Sequence, residues 1–293
     1  MKVLVLGSNG QLGSCLKEAA RSSETEILFL SREDLDLSDL DSINSRLESM
    51  EADFIVNAAA FTAVDAAETD PSAANAINNT AVSNIAKACK TINAHLIHIS
   101  TDYIFDGLSV VPYQEISQPK PLNIYGISKY EGELRILESQ CRYTIFRSSW
   151  IFSEHMKNFL KTILQLSQSK EELNIINDQV GTPTYAHDIA GAIMEIITAD
   201  NNEVFHKEIF NVSGFEHLSW FEFALKITSI AKFQNLPVIS KILPINSVNF
   251  SQKAKRPSFS ALDNKKFCNS FRYKLTPLDE AVSLSIQKVS KYH

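Results

Sequence analysis

A chain of 293 residues, 44% hydrophobic and 21% charged, has the composition of a folded globular protein and the length for two domains or one domain with an appended lobe. Nine glycines and nine prolines exclude collagen-like and low-complexity architectures; 28 basic against 34 acidic residues (net −6), with no basic run denser than Lys253-Ala254-Lys255-Arg256, argue against a nucleic-acid partner. No apolar run approaches the roughly 18–20 residues of a membrane span, and four scattered cysteines (Cys15, Cys89, Cys141, Cys268) lack zinc-site or disulfide-framework spacing, so a cytoplasmic protein without a metal is expected.

In chain order, short apolar runs at 2–6, 26–30, 53–57, 95–100 and 143–147 read as buried parallel strands. Between them, helical periodicity covers 10–21, 42–50, 73–90 and 128–139. Beyond about residue 150 the alternation loosens. Helices are predicted at 156–166, 187–198, 220–231 and 278–289, strands at 173–176 and 209–212, and an irregular, Pro-punctuated stretch at 244–258. The fold class expected is α/β: a Rossmann-like doubly wound parallel sheet with a smaller mixed α/β C-terminal substrate lobe. The first domain takes 1–150 plus about 183–213, and the lobe takes 151–182 and 214–293.

Directly after the first strand stands Gly7-Ser8-Asn9-Gly10-Gln11-Leu12-Gly13, a GxxGxxG spacing that opens a helix. Glycines here permit a tight turn, backbone approach to a pyrophosphate, and close helix–strand packing, with the phosphates at the positive helix end. Gly7, Asn9, Gly10, Gln11, Leu12 and Gly13 are therefore cofactor-binding candidates. At the end of the second strand, Ser31-Arg32 offers a guanidinium to a 2′-phosphate, favouring NADPH, while Glu33 and Asp34 beside it leave NADH open. Asp36-Leu37 either meets the adenine edge or caps a turn. Asn57-Ala58-Ala59-Ala60 is a run of small residues where a cofactor would pass the backbone; core packing would also account for the alanines.

The fourth strand ends in Ser100-Thr101-Asp102, a hydroxyl at the sheet's carboxyl edge, where open α/β folds bind ligands. Tyr125 and Lys129 stand four apart, on one face of a helix that begins near Tyr125, after Pro119, Pro121 and Asn123. Hydride reduction of a ketone generates an alkoxide, which needs a proton donor and a hydrogen bond to orient the carbonyl. Tyr125 can supply the proton, Thr101 the orientation, and a nearby Lys129 cation can lower the phenol's ordinary pKa of about 10 and hold the nicotinamide ribose.

These residues resemble the extended short-chain dehydrogenase/reductase superfamily and, within it, the dTDP-4-dehydrorhamnose reductases. The stretches that carry the likeness are VNAAAFTAVDAAE (56–68), ISTDYIFDG (99–107), PLNIYGISKYEGE (121–133), FRSSWIF (146–152), NDQVGTPT (177–184) and KRPSFSALDNKKF (255–267). The resemblance implies Thr101, Tyr125 and Lys129 as catalytic residues. It also implies an NADPH or NADH cofactor and a nucleotide-sugar pocket lined by Thr62, Val64, Thr101, Asp102, Tyr125 and Trp150. Trp150 is a candidate to stack on the sugar, or a core aromatic. Gln179 and Thr182 are candidates for polar contacts and Arg256 for the ligand's phosphates, while His187 and Asp188 read only as a helix start.

Two positions depart from the family pattern. Phe61 stands where a polar His is common, and Cys15 where some members carry an acidic residue associated with a metal-dependent dimer; no metal is expected, and the oligomer is a monomer or homodimer. The activity implied is NADPH-dependent reduction of the C4 ketone of dTDP-4-dehydro-L-rhamnose, the last step of dTDP-rhamnose synthesis. The alternatives are reduction of another nucleotide-linked 4-keto sugar, and a non-catalytic NADP-binding regulatory subunit resembling that of methionine adenosyltransferase.

Overall fold

The computed structural model describes residues 1–199 and 205–291. In chain order the first half runs β1 (Lys2–Leu6), α1 (Gln11–Ala19), β2 (Glu26–Leu30), α2 (Ile43–Ser49), β3 (Phe54–Asn57), α3 (Val64–Ala67), α4 (Pro71–Asn75), α5 (Ala81–Ile92), β4 (His95–Thr101), α6 (Ile124–Ser139) and β5 (Arg142–Ser148). The second half runs β6 (Ile151–Phe152), α7 (Phe159–Ser167), β7 (Glu172–Ile176), β8 (Val180–Gly181), β9 (Thr184–Tyr185), α8 (Ala186–Thr198), β10 (Glu208–Asn211), β11 (Leu218–Ser219), α9 (Trp220–Phe233), β12 (Lys241–Ile245), α10 (Lys265–Ser270) and α11 (Leu278–Lys291).

Six parallel strands form the central sheet in the order β10-β5-β4-β3-β1-β2. Successive side chains of a strand point to opposite faces, and both faces here are covered. Val3, Val5, Phe54, Val56, Ile97 and Phe146 face the layer that includes α1 and α8, whereas Leu4, Leu6, Ile55, Leu96 and Ile145 face the layer of α2 and α5. The chain passes from β1 outward to β2, then returns to place β3 on β1's other side. That reversal opens a crevice at the carboxyl ends of β1 and β3, where open α/β sheets take their ligands.

A separate apolar cluster, including Phe152, Leu160, Phe223, Ile227, Val282 and Ile286, holds α7, α9 and α11 together as the second lobe. Phe267, Phe271 and Leu275, expected in that lobe, instead pack into the core of the sheet. Aromatic rings are large enough to close the sheet's open flank, and Phe146 meets both phenylalanines edge-on.

Local outcomes differ from expectation in two places. The helix read as continuous over 73–90 starts at Pro71, capped by the Asp70 side chain, and carries a π-helical turn at Ala76–Thr80. That turn turns Asn78 onto the backbone of Phe61 and onto Ser128, and Asn79 onto Glu131. The stretch expected to be irregular from Pro244 contributes Pro244 and Ile245 to β12, which pairs in parallel with β7 in a two-stranded sheet, where a residue without an N–H is tolerated. Among the described residues no helix is long and apolar enough to cross a membrane.

Candidate active site

The glycine turn after β1 is built for close backbone approach. Gly7 takes φ +77°, and a Cβ on it would stand 2.8 Å from the Ala59 backbone; a Cβ on Gly13 would stand 2.5 Å from the Gly7 carbonyl oxygen. Gly10 caps α1 without a side chain, so no side chain covers the first helical amides. Beside the turn lies a cavity of about 330 Å³, lined among others by Arg32, Leu37, Ala59, Ala60, Phe61 and Ile77. Amides for a diphosphate next to an apolar slot with a guanidinium at its rim fit a dinucleotide.

Not every cofactor candidate contributes a side chain there. Leu12 and Leu37 are buried, Leu12 in the sheet core and Leu37 in the cavity wall. The Gln11 amide is committed to the second lobe: it donates to the Ile151 carbonyl (3.1 Å) and accepts from Ser153 (3.1 Å) and Asn158 (2.7 Å). Asn9 accepts from Lys17, and Ser31 donates its amide and hydroxyl to Asp34. Asp36 caps the turn at Ser38 and pairs with the exposed Arg32 at 3.2 Å, so it sits in the cavity wall with its charge partly answered. Ala58 lies between Asn57 and the Ala59–Ala60 wall, donating its amide to the Leu6 carbonyl.

The catalytic candidates converge at the end of β4. Asn123 caps α6 by accepting from the Gly126 amide (2.8 Å), and a Cβ on Gly126 would stand 2.2 Å from the Tyr103 carbonyl oxygen. That close approach seats the first turn of α6 against the 102–104 turn, with the Tyr103 and Tyr125 rings edge-on at 5.7 Å. Thr101 accepts from the Tyr103 amide (3.2 Å) and donates to Asp102 (3.2 Å), and its hydroxyl is close enough to Tyr125 to act on the phenol.

The electrostatics correct one expectation. Burial raises the Tyr125 hydroxyl to about 12, the Thr101 hydrogen bond opposes this, and the charge of Asp102 adds to it. Lys129 is not among the groups that shift it here. Its Nζ donates to the Ile99 carbonyl (2.6 Å) and stands 3.3 Å from His98 Nε2. Burial lowers Lys129 to about 8, against the carboxylate of Glu133. A phenol kept protonated beside a threonine hydroxyl is suited to give a proton to an alkoxide.

The substrate candidates divide. Thr62 is exposed and Val64 opens α3. Asp102 is 2% exposed and serves as acceptor for three hydroxyls, Thr101, Ser149 (3.2 Å) and Ser260 (2.5 Å), so it orders the site from beneath rather than lining an open pocket. Trp150 has one face of its ring covered. Its indole stacks on Trp220 with centroids 3.3 Å apart and lies against Gly181, where a Cβ would come within 2.3 Å. Gln179 is buried, and Thr182 accepts from the Leu262 amide. Arg256 pairs with Asp65 (3.0 Å), and its Nε is buried with no partner, leaving one donor unspent.

Sequence reasoning missed a second charged centre. Lys288 of α11 donates to Glu18 (2.9 Å) and Glu154 (2.7 Å), and Glu154 also receives His187 (2.9 Å). His155 bonds Glu18 at 2.9 Å, and ligand atoms of Glu18, Glu154, His155 and His187 lie within 4.8 Å of one another. The group could hold a cation, and the Lys288 ammonium stands in it. Asp188 is likewise more than a helix start: it accepts from Thr276 and Tyr273. No local spacing announces either arrangement, since the partners lie far apart in the chain.

The family model described as RmlD substrate binding domain matches residues 1–291. A dTDP-4-dehydrorhamnose reductase of Burkholderia thailandensis is 36% identical over 298 residues, covering 98% of both chains. This chain belongs to the dTDP-4-dehydrorhamnose reductase family. Among solved structures, the family's reductase from Clostridium acetobutylicum superposes with a TM-score of 0.91 at 30% identity, covering 99% of this chain and 100% of that one. The reductase from Bacillus anthracis, solved in complex with NADP, gives 0.89 at 32% identity over 98% of this chain and 99% of that one. The family likeness therefore extends through the second lobe as well as the dinucleotide turn.

Proposed function

We propose that this chain is a dTDP-4-dehydrorhamnose reductase, reducing the C4 ketone of dTDP-4-dehydro-L-rhamnose to dTDP-L-rhamnose with NADPH. The observation that carries the reading is the meeting of Thr101 and Tyr125 at the carboxyl edge of the sheet, beside an uncapped glycine turn, in a chain matched by its family over residues 1–291. NADPH when bound supplies the hydride. Gly7 to Gly13 would hold its diphosphate, Arg32 its 2′-phosphate, and Ala59 and Ala60 its path along the sheet.

Tyr125, protonated at neutral pH, gives its Oη proton to the C4 alkoxide oxygen. Thr101, with its oxygen fixed by the Tyr103 amide, turns its proton from Asp102 to the ketone oxygen and orients it. Thr62 and Val64 meet the sugar nucleotide from the first domain, and Arg256 and Gln179 meet it from the second lobe. The unspent Nε of Arg256 supports the assignment to a phosphate. On this reading residues 1–150 and about 183–213 form the cofactor domain, joined by Phe267 of α10 and Phe271 just after it, and the rest forms the substrate lobe. Four free cysteines, three of them buried, suit the reducing cytoplasm, which is the location we propose.

The test is NADPH oxidation with dTDP-4-dehydro-L-rhamnose, repeated with Tyr125→Phe. Tyr125-dependent turnover is expected. Turnover only with another nucleotide-linked 4-keto sugar would move the substrate, and NADPH binding without turnover on any such sugar would favour a regulatory subunit.

A further inference from the structure

Behind the catalytic lysine, three buried polar side chains form a chain whose proton positions can be deduced. Asn57 closes β3, His98 lies on β4 and Lys129 on α6; Asn57 is 1%, His98 0% and Lys129 2% exposed. Asn57 Oδ1 lies 3.2 Å from the Ala59 amide nitrogen, and a backbone N–H can only donate, so the Asn57 oxygen must face Ala59. Its Nδ2 then faces His98 Nδ1 at 3.2 Å and donates to it. An imidazole that accepts at Nδ1 carries its proton on Nε2 when neutral. That Nε2–H points at Lys129 Nζ, 3.3 Å away, and a bond there requires a lone pair on the lysine nitrogen.

The arrangement is thus the one compatible with a neutral Lys129 amine, which still donates to the Ile99 carbonyl. A protonated Lys129 has no lone pair. It would donate to His98 Nε2, the imidazole proton would move to Nδ1, and the Asn57 amide would have to turn its oxygen to His98, releasing the Ala59 amide. Ala59 is the residue whose backbone touches Gly7 in the dinucleotide turn.

We propose that His98 is a positioning residue which, through Asn57, couples the protonation of Lys129 to the anchoring of the Ala59 amide beside the dinucleotide turn. The groups facing Lys129 are few. From β4 come His98 and the Ile99 carbonyl; from α6 itself come Tyr125, one turn away, and Glu133. Glu133 is bound by Arg147 of β5 at 3.0 and 2.7 Å, which holds its charge in place. Burial and the Lys129 charge keep His98 far below the ordinary histidine range, so the switch is between neutral tautomers and not a histidine titration.

The coupling rests on the reductase reading for its importance, but its first test needs no turnover. In full-length protein labelled with 15N-histidine, the ring nitrogens of His98, assigned by their loss in His98→Leu, are followed from about pH 6 to about pH 10, spanning the region where Lys129 exchanges its proton. Expected is a neutral ring throughout, with Nδ1 protonated at low pH and Nε2 protonated at high pH. One tautomer across the whole range, or a cationic ring at its acid end, overturns the proposal.

The second test is the pH profile of kcat/KM. Asn57→Asp forces the Nδ1–H tautomer, leaves Nε2 to accept from the protonated amine, and should move the Lys129 limb up by about 0.5–1 pH unit. His98→Leu removes the ring through which Asn57 acts, so the same Asn57→Asp change made in that background should move the limb less. A limb unmoved by Asn57→Asp, or moved equally with and without His98, refutes the coupling, and should His98→Leu fail to fold, Asn57→Asp and the tautomer spectrum decide. Absence of turnover in the wild type would remove the reductase reading while leaving the tautomer result to stand or fall alone.

Discussion

Replacing Asp102 by Asn tests whether the hydroxyl cage beneath Thr101 carries a strained charge. Three hydroxyls donate to this buried carboxylate, yet burial still raises it from 3.8 to about 6. The folded protein therefore keeps the Asp102 proton up to about pH 6, while the unfolded chain loses it near 3.8. Between those values the native state binds more protons than the unfolded state, so stability from this group is full below 3.8 and falls as pH rises. One pKa unit is worth about 1.4 kcal/mol, and the whole shift amounts to about 3 kcal/mol. Asparagine has the same shape and no charge, and serine and threonine hydroxyls can accept from its amide.

Urea unfolding of both proteins in steps from about pH 3 to about pH 8, bracketing the two pKa values, isolates the effect, because every other titrating group is common to the pair. Wild type should lose about 3 kcal/mol relative to Asp102→Asn across that range. Parallel stability curves would refute the reasoning. The charge also raises Tyr125, so the variant's alkaline activity limb should move to lower pH.

Gly13→Ala would press a methyl to 2.5 Å from the Gly7 carbonyl oxygen; with overpacking costing about 1–3 kcal/mol, NADPH affinity measured by fluorescence titration should fall about tenfold or more, and an unchanged Kd would remove the turn from the binding site. Arg32→Ala should lower the NADPH-to-NADH ratio of kcat/KM by about tenfold, the value of one charge-assisted hydrogen bond, and an unaltered ratio would assign cofactor choice elsewhere. Lys288→Met should cost about 1–3 kcal/mol in neutral urea melts, discounted for the partial exposure of Lys288, because it leaves the buried Glu154 short of a cation. Burial opposes but His187 and Lys288 outweigh it, lowering Glu154 from 4.5 to about 2. Its contribution is present above 4.5 and lost as pH falls toward 2, which wild-type acid unfolding should show and Lys288→Met should show less.

Much of this molecule was legible before any coordinates. Strand and helix periods placed β1, β2 and α1 within a residue or two, and GxxGxxG between them located the dinucleotide turn, because each signal is written in neighbouring residues. Thr101, Tyr125 and Lys129 were named from the end of β4 and the helical spacing of α6, for the same reason. Trp150 is a candidate sugar-stacking ring by its chemistry, and one face of it stacks on Trp220, seventy residues on, a contact no local pattern encodes. The helical spacing suggests that Lys129 lowers Tyr125, yet burial dominates both groups, and the Lys129 Nζ is engaged by the Ile99 carbonyl and His98.

By itself the sequence determined the α/β class, the cofactor turn and the types of group available for proton transfer, all properties of short stretches. Only the tertiary structure decided what those groups experience: the Ser260 hydroxyl on Asp102 from 158 residues away, the Lys288 ammonium on Glu18 from 270, and the Asn57–His98–Lys129 chain through the sheet. Desolvation and hydrogen-bond direction depend on which distant atoms fold into contact, so the charge state of a residue belongs to its packing and not to its place in the chain.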